Sequence, residues 1–165
     1  MIRMAAAADA AGLARIYNHY VRETIVTYEE EPVDDAAMAR RVVDVQAVSL
    51  PWLVAEEPDG VVGYACARPW KPRRGYRFST EVSIYMDASH AGRGLGTTLY
   101  AELLSELRTR GVHAAMGGIA LPNPASVRLH EKLGFEKVAH FREVGFKFGA
   151  WIDVGYWEKL FEPTR

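Results

Sequence analysis

Two hydrophobic periods alternate along this chain, one of helical and one of strand spacing. After a short strand, "MIRMA", the stretch "DAAGLARIYNHYVRE" sets Leu13, Ile16, Tyr17 and Tyr20 on one face, which predicts an inward-packed helix with Asp9 as candidate cap. Asp34 or Asp35 is placed to cap a second helix running toward Val48, ended by Pro51. "WLVAE" and "VVGYACARP", joined by the turn-forming "EPDG", predict a hairpin, and "FSTEVSIYM" the next strand. Leu99, Leu103, Leu104 and Leu107 recur at helical spacing in "TTLYAELLSELRTRG", where Gly111 supplies a stop. "VHAAMGGIA" reads as a buried strand, "ASVRLHEKLGF" as a short helix closed by Gly134, and "EKVAHFREVGFKFG" and "WIDVGYWEKLF" as two last strands. This order predicts an α/β (α+β) fold, a mixed central sheet of about seven strands flanked by about four helices, in one domain over residues 1–165.

Composition narrows the classes. With 49% hydrophobic and 25% charged residues the chain has the balance of a globular core, and 20 basic against 21 acidic side chains give no global pull toward nucleic acid or an anionic membrane. No apolar run approaches the ~20 residues that cross a bilayer. The single cysteine, Cys66, has no partner for an intramolecular disulfide, and the first residues carry no signal-type hydrophobic run, so a cytoplasmic location is expected. The acidic run in "TYEEEP" reads as a solvated loop. His19, His90, His113 and His140 have no spacing that builds a metal site, and Cys66 has no recognisable base partner.

The chemistry concentrates in "HAGRGLGTTLY", residues 90–100. A helix N-terminus leaves N–H groups unpaired and carries partial positive charge, so Gly92, Gly94 and Gly96 there let a phosphate approach the backbone, with Arg93 beside them. The spacing is neither that of a P-loop nor that of the dinucleotide fingerprint, which disfavours an NTPase.

This turn resembles the pyrophosphate-binding turn of the GNAT acetyltransferases: Gln or Arg, two residues, Gly, one residue, then Gly or Ala. Gly94 and Gly96 match, while Ala91 stands where Gln or Arg is usual. The likeness continues in "LPWLVAE" (50–56), "RPWKPR" (68–73), "STEVSIY" (79–85), "ALPNPASVRLHEKLGF" (120–135) and "VGFKFGAWIDVGYW" (144–157), segments similar to those of the subgroup acting on phosphinothricin and methionine sulfoximine or sulfone. The resemblance implies an acetyl-CoA-dependent N-acetyltransferase, without metal, that acetylates the amino group of such a small analogue by direct transfer. A protein N-terminal acetyltransferase and a non-catalytic CoA-binding sensor are the alternatives.

The same resemblance implies the site. Glu81 is the expected general base, since an ammonium must lose a proton before it attacks a thioester. His130, seven residues after Asn123, is either the proton donor to the departing thiolate or a structural histidine. Ile84, Tyr85 and Met86 are expected to present backbone to the thioester, Gly92, Arg93, Gly94, Leu95, Gly96 and Thr97 to hold the diphosphate, and Asn123 to bond the pantetheine arm. The basic segment "KPRRGYR" reads either as a solvated loop or as a lid, and Lys71, Pro72 and Arg73 with Glu81, Val82 and Ser83 are the expected substrate contacts. The aromatics of "FKFGAWIDVGYW" are expected to be mostly core, with part reaching the partner of a homodimer.

Overall fold

The computed structural model describes residues 1–162, so the last three residues of the expected domain lie outside the described part. In chain order the elements are β1 (Ile2–Met4), α1 (Ala10–Glu23), α2 (Asp35–Ala47), β2 (Trp52–Glu57), β3 (Gly60–Pro69), β4 (Ser79–Met86), α3 (Leu95–Thr109), β5 (Ala114–Leu121), α4 (Pro124–Lys132), β6 (Glu136–Lys147) and β7 (Ala150–Leu160). The strands form one sheet in the order β1-β2-β3-β4-β5-β7-β6. Among the described residues only β4 and β5 run parallel.

Strand alternation divides the core between the two faces of this sheet. Trp52, Val54, Tyr64, Cys66 and Tyr85 point toward α1 and α2, whereas Leu53, Ala55, Ala65, Ala67 and Val82 point toward α3. Leu99, Leu103 and Leu107 are fully buried on α3, each stabilising the fold by roughly 1.5–3 kcal/mol. The expected face of α1 is inward, and the Asp34 carboxylate caps α2 by accepting the Ala37 N–H at 2.7 Å. Asp9 stands at the N-cap of α1 without capping it. Its carboxylate instead accepts the Ala6 N–H and a bidentate pair from Arg3, which holds it below the usual carboxylate range.

One irregularity of the sheet makes room for a site. The β4–β5 pairing covers Ser79–Glu81 against Ala114–Met116, while β5 pairs with β7 from Ala114 to Leu121. The second half of β4, Val82 to Met86, thus pairs with β3 alone and opens a cleft toward β5. On the far side, β6 and β7 form a long ribbon closed by a two-residue turn at Phe148 (φ 51°) and Gly149 (φ 73°), the twist that a tight hairpin requires.

That ribbon overturns one expectation. Trp157 is buried, yet Phe146, Phe148 and Trp151 are 50%, 62% and 65% exposed, so the aromatics of this segment are mostly surface. The alternation of the ribbon explains it: Gly145 and Lys147 point into the protein, which sends Val144 and Phe146 outward together with Trp151 opposite Phe146, while Phe148 stands in the turn. The acidic run also departs from expectation at Glu29, which is half-buried and paired with Arg41 at 2.7 Å.

Candidate active site

The glycine turn opens onto a groove of about 550 Å³ between β4, α3 and α4. Gly92 and Gly94 have φ of 80° and 82°, a conformation that L side chains adopt at a cost, and the space where a Cβ would stand is open at both. The backbone at the start of α3 is therefore bare on its groove side. Gly96 differs from them: a Cβ there would be in ordinary van der Waals contact with Met86 Cγ, at 3.4 Å. Arg128 and Lys132, one turn apart on α4, line the same groove and bring two positive charges to it. Asn123 caps α4 by accepting the Ser126 N–H at 3.1 Å, which leaves its amide N–H₂ for a ligand in the groove. The Tyr20 hydroxyl donates to the Met86 carbonyl at 2.6 Å and ties α1 to the end of β4.

A second cavity, of about 440 Å³, lies on the other face of β4. Glu81, Ser83 and Tyr85 contribute from the strand, Arg68 from β3, Tyr156 from β7, and Thr27, Tyr28 and Glu29 from the loop after α1. Val26 lines both cavities and marks where they meet. The loop is held from outside by the ribbon. Lys147, 1% exposed, donates to the carbonyls of Thr27 at 2.7 Å and Thr24 at 2.8 Å, with a longer contact to Tyr20. A Cβ at Gly145 would collide with the Tyr28 ring, so ribbon and loop are in close contact there as well.

His130 is neither in the groove nor in the cavity. It is 4% exposed, wedged between Tyr100 and Phe135, with its ring against Gly117 of β5 so closely that a Cβ there would collide with Nε2. Its Nδ1 lies 2.8 Å from the Ser126 carbonyl and its Nε2 3.0 Å from the Tyr100 hydroxyl. Burial lowers its pKa below the usual 6.5 and pushes that of Tyr100 well up. The arrangement fits a neutral imidazole that donates from Nδ1 to the backbone and accepts the Tyr100 O–H at Nε2. Of the two readings open for His130, the geometry fits the structural one.

A bare, positively flanked helix N-terminus beside a cleft in a mixed sheet, with a carboxylate on the opposite side of the same strand, is an arrangement for bringing a phosphorylated donor to an amine. The model of the acetyltransferase (GNAT) domain matches residues 2–155. This chain belongs to the GNAT acetyltransferase family. It is 41% identical to a phosphinothricin N-acetyltransferase of Streptomyces viridochromogenes, over 98% of this chain and 87% of that protein. It is 39% identical to an L-methionine sulfoximine/L-methionine sulfone acetyltransferase of Salmonella typhimurium, over 94% of this chain and 91% of the other. A Salmonella typhimurium acetyltransferase structure with its cofactor acetyl-CoA superposes with a TM-score of 0.96 at 36% identity, covering 100% of this chain and 95% of that one. A ribosomal-protein-alanine N-acetyltransferase structure from Brucella melitensis superposes with a TM-score of 0.95 at 39% identity, covering 98% and 99%.

Within this GNAT fold the expected residues divide. Ile84, Met86, Gly92, Gly94, Gly96, Thr97 and Asn123 come together around the groove, and Glu81 with Ser83 around the cavity. Arg93 is exposed outside the groove, and Leu95 packs against the α3 core. Tyr85 sends its side chain to the α1 side, where burial raises its pKa, and Val82 is buried against α3; alternation along β4 accounts for both. Lys71, Pro72 and Arg73 do not reach the cavity within this chain. Lys71 instead lies 4.9 Å from the Trp70 ring centre, beside a separate hollow beyond Tyr156, and the whole segment from Lys71 to Phe78 is exposed. Arg128, Lys132, Tyr20 and Arg68 escaped the sequence reading. For the first two a signal existed: cations four apart on the helix that follows Asn123.

Proposed function

We propose that this GNAT protein is an acetyl-CoA-dependent N-acetyltransferase that acetylates the amino group of a small amino-acid analogue, such as phosphinothricin or methionine sulfoximine or sulfone, by direct transfer. The observation that carries the reading is the division of labour across β4: an open glycine turn on one side, Glu81 on the other, and a junction at Val26. When bound, acetyl-CoA supplies an activated thioester. The N–H groups from Gly92 to Thr97 hold its diphosphate, Arg128 and Lys132 add charge, and Asn123 donates to the pantetheine arm. The main chain from Ile84 to Met86 orients the reacting end, and Glu81 takes the proton that the acceptor ammonium must lose. His130 is assigned to holding α4 against Tyr100, which fixes Asn123 and Arg128.

The relatives named for phosphinothricin and methionine derivatives support this acceptor class, as does a cavity in the size range of small-molecule sites. The exposed Phe146, Phe148 and Trp151, on a ribbon contiguous with the cavity wall at Tyr28 and Tyr156, support a homodimer in which the partner completes the site. A cytoplasmic enzyme of one domain, residues 1–165, fits the single buried thiol, whose pKa burial pushes up to about 11. The Brucella melitensis structure gives a second reading, acetylation of a protein N-terminus.

Thiol release from acetyl-CoA decides between them. Phosphinothricin, methionine sulfone and methionine sulfoximine are expected to exceed an alanine-starting peptide in kcat/KM. The reverse order establishes the second reading, and acetyl-CoA binding without turnover of any amine leaves a CoA-binding sensor.

A further inference from the structure

Arg68 is a cation in the acceptor cavity that no sequence signal marked. The register of β3 and β4 places Arg68 directly opposite Glu81, as Cys66 is opposite Ser83 and Tyr64 opposite Tyr85. Opposite residues of an antiparallel pair share a face, with Cβ atoms roughly 5 Å apart. Arg68 and Glu81 thus stand side by side in the cavity wall. Arg68 also lines a smaller neighbouring cavity of about 280 Å³ together with Tyr17, Glu29 and Tyr85, which line both. It stands where the two join.

Its charge is unspent. Among the described residues Arg68, on the exposed end of β3, forms no ion pair and no side-chain hydrogen bond, unlike Arg41, the other arginine of the smaller cavity, which pairs with Glu29. The carboxylates around it are otherwise engaged or out of reach. Glu29 is held by Arg41 at 2.7 Å, and among the described residues neither Asp44, which shares the smaller cavity with Arg68, nor Glu81 across the strands forms an ion pair with it. The cavity therefore offers an acceptor of negative charge and, one strand away, an acceptor of positive charge. A guanidinium meets a tetrahedral oxyanion through two parallel N–H···O bonds.

We infer that Arg68 is a specificity-determining residue that makes this site select amino acids whose side chain ends in an anion, a phosphinate above all, over neutral acceptors of the same shape. The inference rests on the reading of the cavity as the acceptor site. The ammonium goes to Glu81 and the distal anion to Arg68.

L-phosphinothricin and L-methionine sulfone test it, because both end in a methylated tetrahedral centre with two oxygens and differ by one negative charge. The wild-type protein is expected to favour phosphinothricin in kcat/KM by about 10- to 100-fold, the worth of a charge-assisted contact. Arg68→Gln is expected to cost phosphinothricin about 10- to 100-fold more in kcat/KM than it costs methionine sulfone, and so to abolish the preference, with acetyl-CoA affinity held; Arg68→Lys is expected to keep part of it. Equal losses on both acceptors in Arg68→Gln overturn the inference, as does a wild-type protein that treats them alike; either leaves the acetyltransferase reading standing. A wild-type protein that binds acetyl-CoA but acetylates neither overturns both. Should Arg68→Gln not fold, the wild-type preference and the Arg68→Lys variant still decide.

Discussion

Replacing Lys147 by Met tests whether the ribbon sets the acceptor loop. The ammonium has three N–H donors and finds three carbonyls, two at hydrogen-bonding distance, 2.7 and 2.8 Å, and one at 3.4 Å. Two of those carbonyls, of Tyr20 and Thr24, belong to the C-terminal end of α1, where the helix dipole favours a cation. Each well-formed charged bond contributes about 1.5–3 kcal/mol, and the cost of burying the ammonium, visible in its lowered pKa, offsets part of the sum. A methionine of similar length fills the space but leaves the Thr24 and Thr27 carbonyls unpartnered, so the net loss is about 2–4 kcal/mol. For a chain of this size that lowers Tm by roughly 5–15 °C. Because Thr27 to Glu29 wall the acceptor cavity and the glycine turn is elsewhere, KM for the acceptor should rise while acetyl-CoA affinity holds. Thermal denaturation, calorimetry with acetyl-CoA and steady-state kinetics on both substrates measure all three quantities. A Tm within a degree or two of wild type, or acetyl-CoA affinity falling in step with that for the acceptor, refutes the reasoning.

Three further outcomes are expected. Glu81→Gln should lower kcat by about 10²- to 10⁴-fold with acetyl-CoA affinity intact, and an unchanged kcat removes Glu81 from proton transfer. Gly94→Val forces a branched side chain into φ near 82° and over the bare amides, so calorimetry should show acetyl-CoA binding weakened at least about tenfold; wild-type affinity would detach the turn from the diphosphate. His130 binds its proton more weakly folded than unfolded, so it contributes stability above pH 6.5 that is lost as pH falls through its lower folded value. Urea titrations at pH 7.5 and 5.5 should show a drop that is smaller in His130→Asn, and an equal drop would mean that other groups carry it.

Much of the fold was legible because the rules that made it legible are local. The inward stripe of α1, the Asp34 cap, the stop at Gly111 and the hairpin at "EPDG" depend on dihedral preferences and burial of one face, both written within a few residues. The glycine turn was legible for the same reason, since left-handed backbone at Gly92 and Gly94 requires that residue type. Alternation also divided β4 into two sets of side chains, but could not say which set faced the groove and which the cavity. The ribbon aromatics show the limit: hydrophobicity alone predicted burial, and the inward turn of Gly145 and Lys147 sent them to the surface.

By itself, then, the sequence determined the elements, the open glycine turn at the start of α3 and the strand that carries Glu81. Only the tertiary structure decided that β4 parts from β5 to make a cleft, that Arg128 and Lys132 flank the turn, that His130 is locked behind Tyr100, and that Arg68 stands opposite Glu81. These are juxtapositions of residues distant in the chain, fixed by strand register and helix placement, and no single stretch of the chain encodes them.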